Sequence, residues 1–133
     1  MRSITAFLVL GVLGASLAGC ADVDDRAAAA ETAAVRFTAA LAEPGTGGAC
    51  DALAPATREE LEQEGPCPQA LASLGLDPDV GRVVGADVYG SQARVVFERD
   101  NVFLASFPEG WKVTAAGCTP RQGRPAQCEV KGD

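Results

Sequence analysis

"GRVVGADVYGSQARVVFER", residues 81–99, is where the chain changes from a helical period to that of a strand. In its first half Val84, Ala86 and Val88 alternate with Val83 and Asp87; in its second half Ala93, Val95 and Phe97 alternate with Arg94, Val96 and Glu98. Alternation at every second residue marks a strand with one buried face, because successive side chains leave a pleated strand on opposite sides. Gly90-Ser91 stands between the halves, and two such runs joined by a tight glycine-bearing pair predict a hairpin. Asp100-Asn101 then predicts a second turn, "VFLASF" (102–107) a third strand, Pro108-Glu109-Gly110 a third turn and "WKVTAAGC" (111–118) a fourth strand. The expectation is a four-stranded antiparallel meander. Val84, Val88, Val95 and Phe97 supply its core, and Asp87, Arg94 and Glu98 pair across strands on the solvent side.

Upstream of the meander the pattern is helical. From Asp22 to Ala42 the chain is rich in alanine, opens on aspartates that suit the positive end of a helix, and sets Ala30, Ala34, Phe37 and Leu41 on one stripe. "EPGTGG" (43–48) ends it. Its glycines superficially suggest a phosphate cradle, but they follow a helix instead of joining a strand to one, so a loop is expected. "DALAPATREELEQEG" (51–65) predicts a short helix with Pro55 in its first turn and Leu53 and Leu61 as apolar contacts, and "CPQALASLGL" (67–76) a further helical turn stopped at Gly75. Helices first and an antiparallel meander after them is an α+β plan, with the long helix laid across one face of the sheet.

The first residues belong to a different class. Met1-Arg2-Ser3 is followed by an apolar run of about fifteen residues, shorter than the roughly 20 a helix needs to cross a bilayer and typical of a secretory signal. It closes on Leu17-Ala18-Gly19-Cys20, and "LAGC" resembles the lipobox of bacterial lipoproteins. The resemblance implies cleavage before Cys20, a diacylglycerol on its sulfur, and residence on the outer face of the cell membrane. It divides the chain into a leader, 1–19, and one extracytoplasmic domain, 20–133. Two or more acyl chains hold a domain stably at about 0.8 kcal/mol per buried methylene.

Without the leader the chain loses Arg2 alone among its charges, leaving ten basic against eighteen acidic residues and a balance of −8. Such a domain is repelled by nucleic acid and by anionic lipid, so membrane attachment falls to the acyl group. The remaining cysteines, Cys50, Cys67, Cys118 and Cys128, are even in number in an exported chain and predict two disulfides with three possible connectivities. Cys50–Cys67 and Cys118–Cys128 are the expected pairs, each bracketing a short turn-rich segment. No Cys-x-x-Cys occurs and the chain has no histidine, so redox or zinc chemistry is not expected, nor is any metal or cofactor.

"GWKVTAAGC" (110–118), running through a proline-bearing loop into "CEV" (128–130), resembles the C-terminal signature of small actinobacterial lipoproteins. The excess of nine arginines over two lysines agrees with such a source. The resemblance implies a cone-shaped α+β fold of the cystatin and nuclear-transport-factor-2 kind and brings no activity. Related cones include polyketide cyclases and steroid isomerases that place Asp, His or Tyr in a pocket. With histidine absent, such a set here would be Asp87, Tyr89 and Glu98. Cross-strand ion pairing is the simpler role for the two carboxylates. The aromatics, Phe37, Tyr89, Phe97, Phe103, Phe107 and Trp111, either line a ligand pocket or fill it, and a core otherwise rich in alanine favours filling. Glu59, Glu60, Glu62 and Glu64 read as a solvated helix face, with a calcium or partner site as the alternative. Arg121 and Arg124, in "TPRQGRPAQ" (119–127), form a basic loop on an acidic protein and are a candidate contact for an anionic partner. The expectation is a non-catalytic binding domain for an envelope partner; a carrier or sensor of a small apolar ligand is the alternative, and an enzyme on the same fold comes last.

Overall fold

The computed structural model describes residues 19–43, 45 and 47–132, with side-chain burial from residue 22. The expected leader therefore lies outside the described residues except for Gly19, and so does the side chain of Cys20. Helix α1 spans Gly19–Leu41, α2 Gly48–Asp51, α3 Pro55–Glu62 and α4 Cys67–Ser73. Five strands follow: β1 Val83–Tyr89, β2 Gln92–Phe97, β3 Asn101–Phe107, β4 Gly110–Arg121 and β5 Arg124–Lys131. Each pairs antiparallel with the next in a single sheet of order β1-β2-β3-β4-β5. The class is α+β with helices preceding an antiparallel sheet, and the sheet has five strands where four were expected.

The extra strand comes from "TPRQGRPAQ", expected as a loop. Its ends continue β4 and open β5, and only Gln122-Gly123 turns, with Gly123 at φ 66°. Two prolines made the segment look irregular. Pro125 is tolerated because β5 lies at the edge of the sheet, where a missing N–H breaks no ladder.

One face of the sheet holds the core. Cross-strand rows Ala86–Val95–Val102 and Val88–Ala93–Leu104–Val113 bring their side chains together, and Ala116–Val130 continues the layer. Helix α1 packs Ala30, Ala34 and Phe37 on this layer, and all three are fully buried. The alanines let the helix backbone approach the sheet closely, and Phe37 is the large side chain that α1 buries fully there; burying it contributes about 3 kcal/mol.

β1 departs from the expected phase at its start. Val83 pairs with Phe97 and Gly85 with Val96, which leaves Val84 in a bulge and 68% exposed, not in the core. From Gly85 on the alternation runs as expected. Among the aromatics Phe37 and Phe97 are buried core and half-buried Trp111 packs against it; Phe103 and Phe107 are half-buried and Tyr89 is 64% exposed, so filling the core accounts for three of the six.

The helical layer is held by covalent and edge contacts. Helix α3 begins at Pro55, later than the expected start at Asp51, because Asp51 closes α2 and Leu53 then bridges β4 in parallel: Val113 N–H donates to Ala52 O at 2.9 Å and Ala54 N–H to Val113 O at 2.8 Å. This segment covers the β4 edge beyond the end of β5. The Cys50–Cys67 disulfide ties α2 to α4, and Cys118–Cys128 joins directly opposed residues of β4 and β5. On the loop-entropy model each contributes about 3 kcal/mol. Among the described residues no helix is long and apolar enough to cross a membrane.

Candidate functional site

The residues that would serve acid–base chemistry are not gathered in a pocket. Asp87 and Arg94 are register partners on the face of the sheet turned away from α1, and Arg94 Nη2 donates to Asp87 Oδ2 at 2.6 Å. That hydrogen bond, with the charge of Asp87, holds the guanidinium protonated more firmly than usual. Glu98 lies beyond the end of β2, where its Oε2 accepts from Arg82 N at 2.9 Å and its Oε1 from Arg82 Nη2 at 3.0 Å. The backbone hydrogen bond first, and then the Arg82 side chain, lower the Glu98 pKa below the ordinary carboxylate value. Tyr89 closes β1 on the exposed surface. Geometry thus engages both carboxylates with arginines, as expected for cross-strand pairs, although Glu98 finds Arg82 and not Arg94.

Two glutamates of the acidic helix face, Glu60 and Glu62, are likewise tied to neighbours. Arg58 bridges Glu62 at 2.8 Å and Asp51 at 3.5 Å, and Gln63 Nε2 donates to Glu60 Oε2 at 3.1 Å. Among the described residues no three carboxylate or cysteine side chains converge as a metal ion would need. "EPGTGG" supplies Gly47, whose φ of 76° starts α2; α2 is only four residues long, and the segment borders an apolar crevice.

That crevice is one of two concave features that bear on function. It lies on the helical side, holds about 200 Å³, and is lined chiefly by Leu41, Ala49, Leu71, Ala72 and Leu76, with Cys50 and Glu43 also contributing. Its walls come from α1, α2, α4 and the turn after α4, and the Cys50–Cys67 bond joins α2 to α4.

The second is a groove of about 620 Å³ on the opposite face of the sheet. Its floor is Phe103 and Ala115, which are register partners, and its walls are Arg121, Pro125, Ala126, Gln127 and Lys131. Every lining residue belongs to β3, β4 or β5, and none is acidic. A shallower hollow of about 430 Å³ shares Phe103 and Ala115 and continues over Gln92, Ala105 and Thr114. The groove follows from register: the row Asp87–Arg94–Phe103–Ala115–Lys131 crosses all five strands, charged at both ends and apolar between. Arg121 Nε donates to Pro125 O at 3.1 Å, which bends its side chain back along the hairpin, and Arg124 is its register partner.

Sequence reasoning picked out Arg121 and Arg124 but missed Phe103, Ala115 and Lys131 as their neighbours. The available signal was the alternation in "NVFLASF", where Val102 and Leu104 claim one face and leave Phe103 and Ala105 on the other. No protein-family model, curated protein or solved structure matches this chain.

Proposed function

We propose that the chain is a membrane-anchored extracytoplasmic lipoprotein whose single domain works by binding, without catalysis, a partner in the cell envelope. The observation that carries the anchor is "LAGC" at the end of the apolar run, with Cys20 at its last position. It is supported by the start of α1 at Gly19, because a lipid on Cys20 would then sit on the first turn of the longest helix, with no linker between bilayer and domain. We read the long helix across an antiparallel sheet as the cone-shaped plan of nuclear transport factor 2 relatives, in keeping with the "GWKVTAAGC" resemblance. The binding role is supported by the arginine partners of Asp87 and Glu98, which occupy the carboxylates an enzyme on this fold would need.

Intact-mass measurement on protein extracted from membranes of the producing cell tests the anchor. The expected result is a chain beginning at Cys20 with a diacylglycerol-sized addition on its sulfur, and an unmodified thiol there overturns it.

The apolar crevice beside Cys50 supports a second reading, carriage of a small apolar ligand. At about 200 Å³ it is smaller than most drug-sized sites. Native mass spectrometry of the secreted, oxidised protein separates the two: a reproducible added mass that leaves on mild activation would put ligand carriage first.

A further inference from the structure

We propose that the apolar crevice beside α4 and the charged hollow adjoining it form one site for a small cationic amphiphile, an ammonium group on a short apolar chain or ring. The proposal rests on the second reading above, ligand carriage, and names the class of the ligand.

Shape is the first argument. The crevice of about 200 Å³ and a hollow of about 190 Å³ share Leu41 and Leu76 in their linings, so the two adjoin at these leucines. Gly117 makes room for this wall: it has no side chain, and Leu76 Cδ2 stands 2.5 Å from where its Cβ would be. The crevice by itself suits a single ring or a chain of about six carbons, since an apolar cavity of roughly 150 Å³ takes up benzene. Crevice and hollow together come within the range of roughly 300–1,000 Å³ usual for small-molecule sites.

Polarity is the second. The crevice is walled by Leu41, Ala49, Leu71 and Ala72, and Glu43 is the one charged residue of its lining. The hollow past the leucines holds Asp77, Asp79 and Asp100 with Arg99. Arg99 is held by Asp79: its Nη2 donates to the carboxylate, and its Nε to the carbonyl O at 3.0 Å. Asp100 accepts from backbone N–H groups of β3 and β4. Asp77 follows Leu76 directly and lines the same hollow; its Oδ1 accepts from Asp79 N at 2.8 Å, and no arginine or lysine pairs with it among the described residues. A chain lying over Leu76 brings its end group to a carboxylate that no cation holds.

Sign is the third. Carboxylates occur all over this acidic surface, but here they border an apolar crevice and outnumber the one arginine beside them. The groove against β5 has Arg121 and Lys131 and no carboxylate in its lining, and the hollow between α1 and the start of β4 has Arg36 and Lys112 against Glu109. Neither offers an ammonium group an attractive field. On the helical side the field favours a cation and opposes a carboxylate or phosphate of the same size.

The test titrates the oxidised, secreted, isotope-labelled protein with hexylammonium, hexanol and hexanoate, which share a chain and differ in charge, and follows the backbone amide signals. Hexylammonium is expected to move the amides of Leu41, Ala49, Ala72, Leu76 and Asp77. It should bind severalfold more tightly than hexanol and about tenfold more tightly than hexanoate, with both margins shrinking as salt is raised. Asp77→Asn, which keeps an oxygen for Asp79 N, removes most of the ammonium's advantage and leaves hexanol binding unchanged. Ala72→Trp, at an exposed position of the lining, weakens hexylammonium and hexanol alike. The amide spectrum of each variant checks that it is folded. Equal binding of hexanol and hexylammonium, tighter binding of hexanoate, or insensitivity to Asp77→Asn overturns the cationic class and leaves apolar carriage standing. Shifts scattered over the acidic surface and untouched by Ala72→Trp overturn the site. If none of the three binds, the site falls together with ligand carriage, while the envelope-partner role and the anchor on Cys20 answer to their own measurements.

Discussion

Asp100 joins the start of β3 to β4 beyond the end of the β3–β4 ladder. Its Oδ1 accepts from Asn101 N at 2.7 Å and Cys118 N at 2.8 Å, and its Oδ2 from Gly117 N at 2.9 Å. Because the carboxylate is used here, the β2–β3 turn falls on the preceding residues, with Phe97 N donating to Asp100 O at 2.8 Å, and not on Asp100-Asn101 as the sequence suggests. Gly117, at φ 65° with Leu76 Cδ2 only 2.5 Å from where a Cβ would stand, needs that support. Asp100→Ala leaves the N–H groups of Gly117 and Cys118 without their acceptor, and a loss of about 1–3 kcal/mol in urea unfolding is expected; an unchanged midpoint would remove Asp100 from this role. Glu98 gives a pH signature. Its pKa is lowered in the folded state by Arg82, so its contribution is present above the unfolded carboxylate value of 4.5 and is lost as pH falls through the lower folded value. Glu98→Gln should therefore lower the urea midpoint at pH 7 and converge with the parent protein in strong acid. A gap that widens with acidity would contradict the assignment.

At the scale of the element, the bulge in β1 decides which valines matter. The alternation read from residue 84 is correct in period and wrong in phase at its first member, because one extra residue between Val83 and Gly85 turns Val84 outward. A bulge of this kind leaves no trace in hydrophobic pattern, since valine is equally at home on either face of a strand. Val84→Ala should change stability by no more than about 0.5 kcal/mol, whereas Val95→Ala, at a fully buried position, should cost about 2 kcal/mol. Equal effects in thermal unfolding would place Val84 in the core after all. The β4–β5 hairpin teaches the opposite lesson about punctuation: two prolines and a glycine in "TPRQGRPAQ" predict a loop, yet the Cys118–Cys128 bond and the edge position let strands persist through it.

At the scale of the molecule, the two ends of the domain differ. Arg26 donates to Gly90 O and stands 5.5 Å over the Trp111 ring, so the first turns of α1, the β1–β2 turn and the start of β4 share one end. From Trp111 the β4 strand runs to Arg121 at the other, roughly 30 Å away at the rise of a strand. If Cys20 carries a lipid, as proposed, Trp111 is expected near the bilayer and the β4–β5 hairpin away from it. Brominated lipids in vesicles should quench Trp111 in the lipidated protein far more than a tryptophan placed at Gln122 in a Trp111→Phe background; equal or reversed quenching would mean that the domain lies on its side.

What the sequence determined by itself is whatever depends on neighbours along the chain. The helix stripe of Ala30, Ala34 and Phe37, the alternation of Ala93, Val95 and Phe97, and the Gly90 turn are local, and each is present as read. The α+β order of elements follows from those patterns. Tertiary structure alone decided what depends on residues far apart: the fifth strand, stabilised by pairing that its prolines argue against; the exposure of Val84, set by register with β2; and the groove, since Phe103, Ala115, Arg121 and Lys131 share a surface only through the pairing of β3, β4 and β5. Side-chain periodicity states which face a residue takes on its own strand. Only the register between strands decides which residues that face brings together.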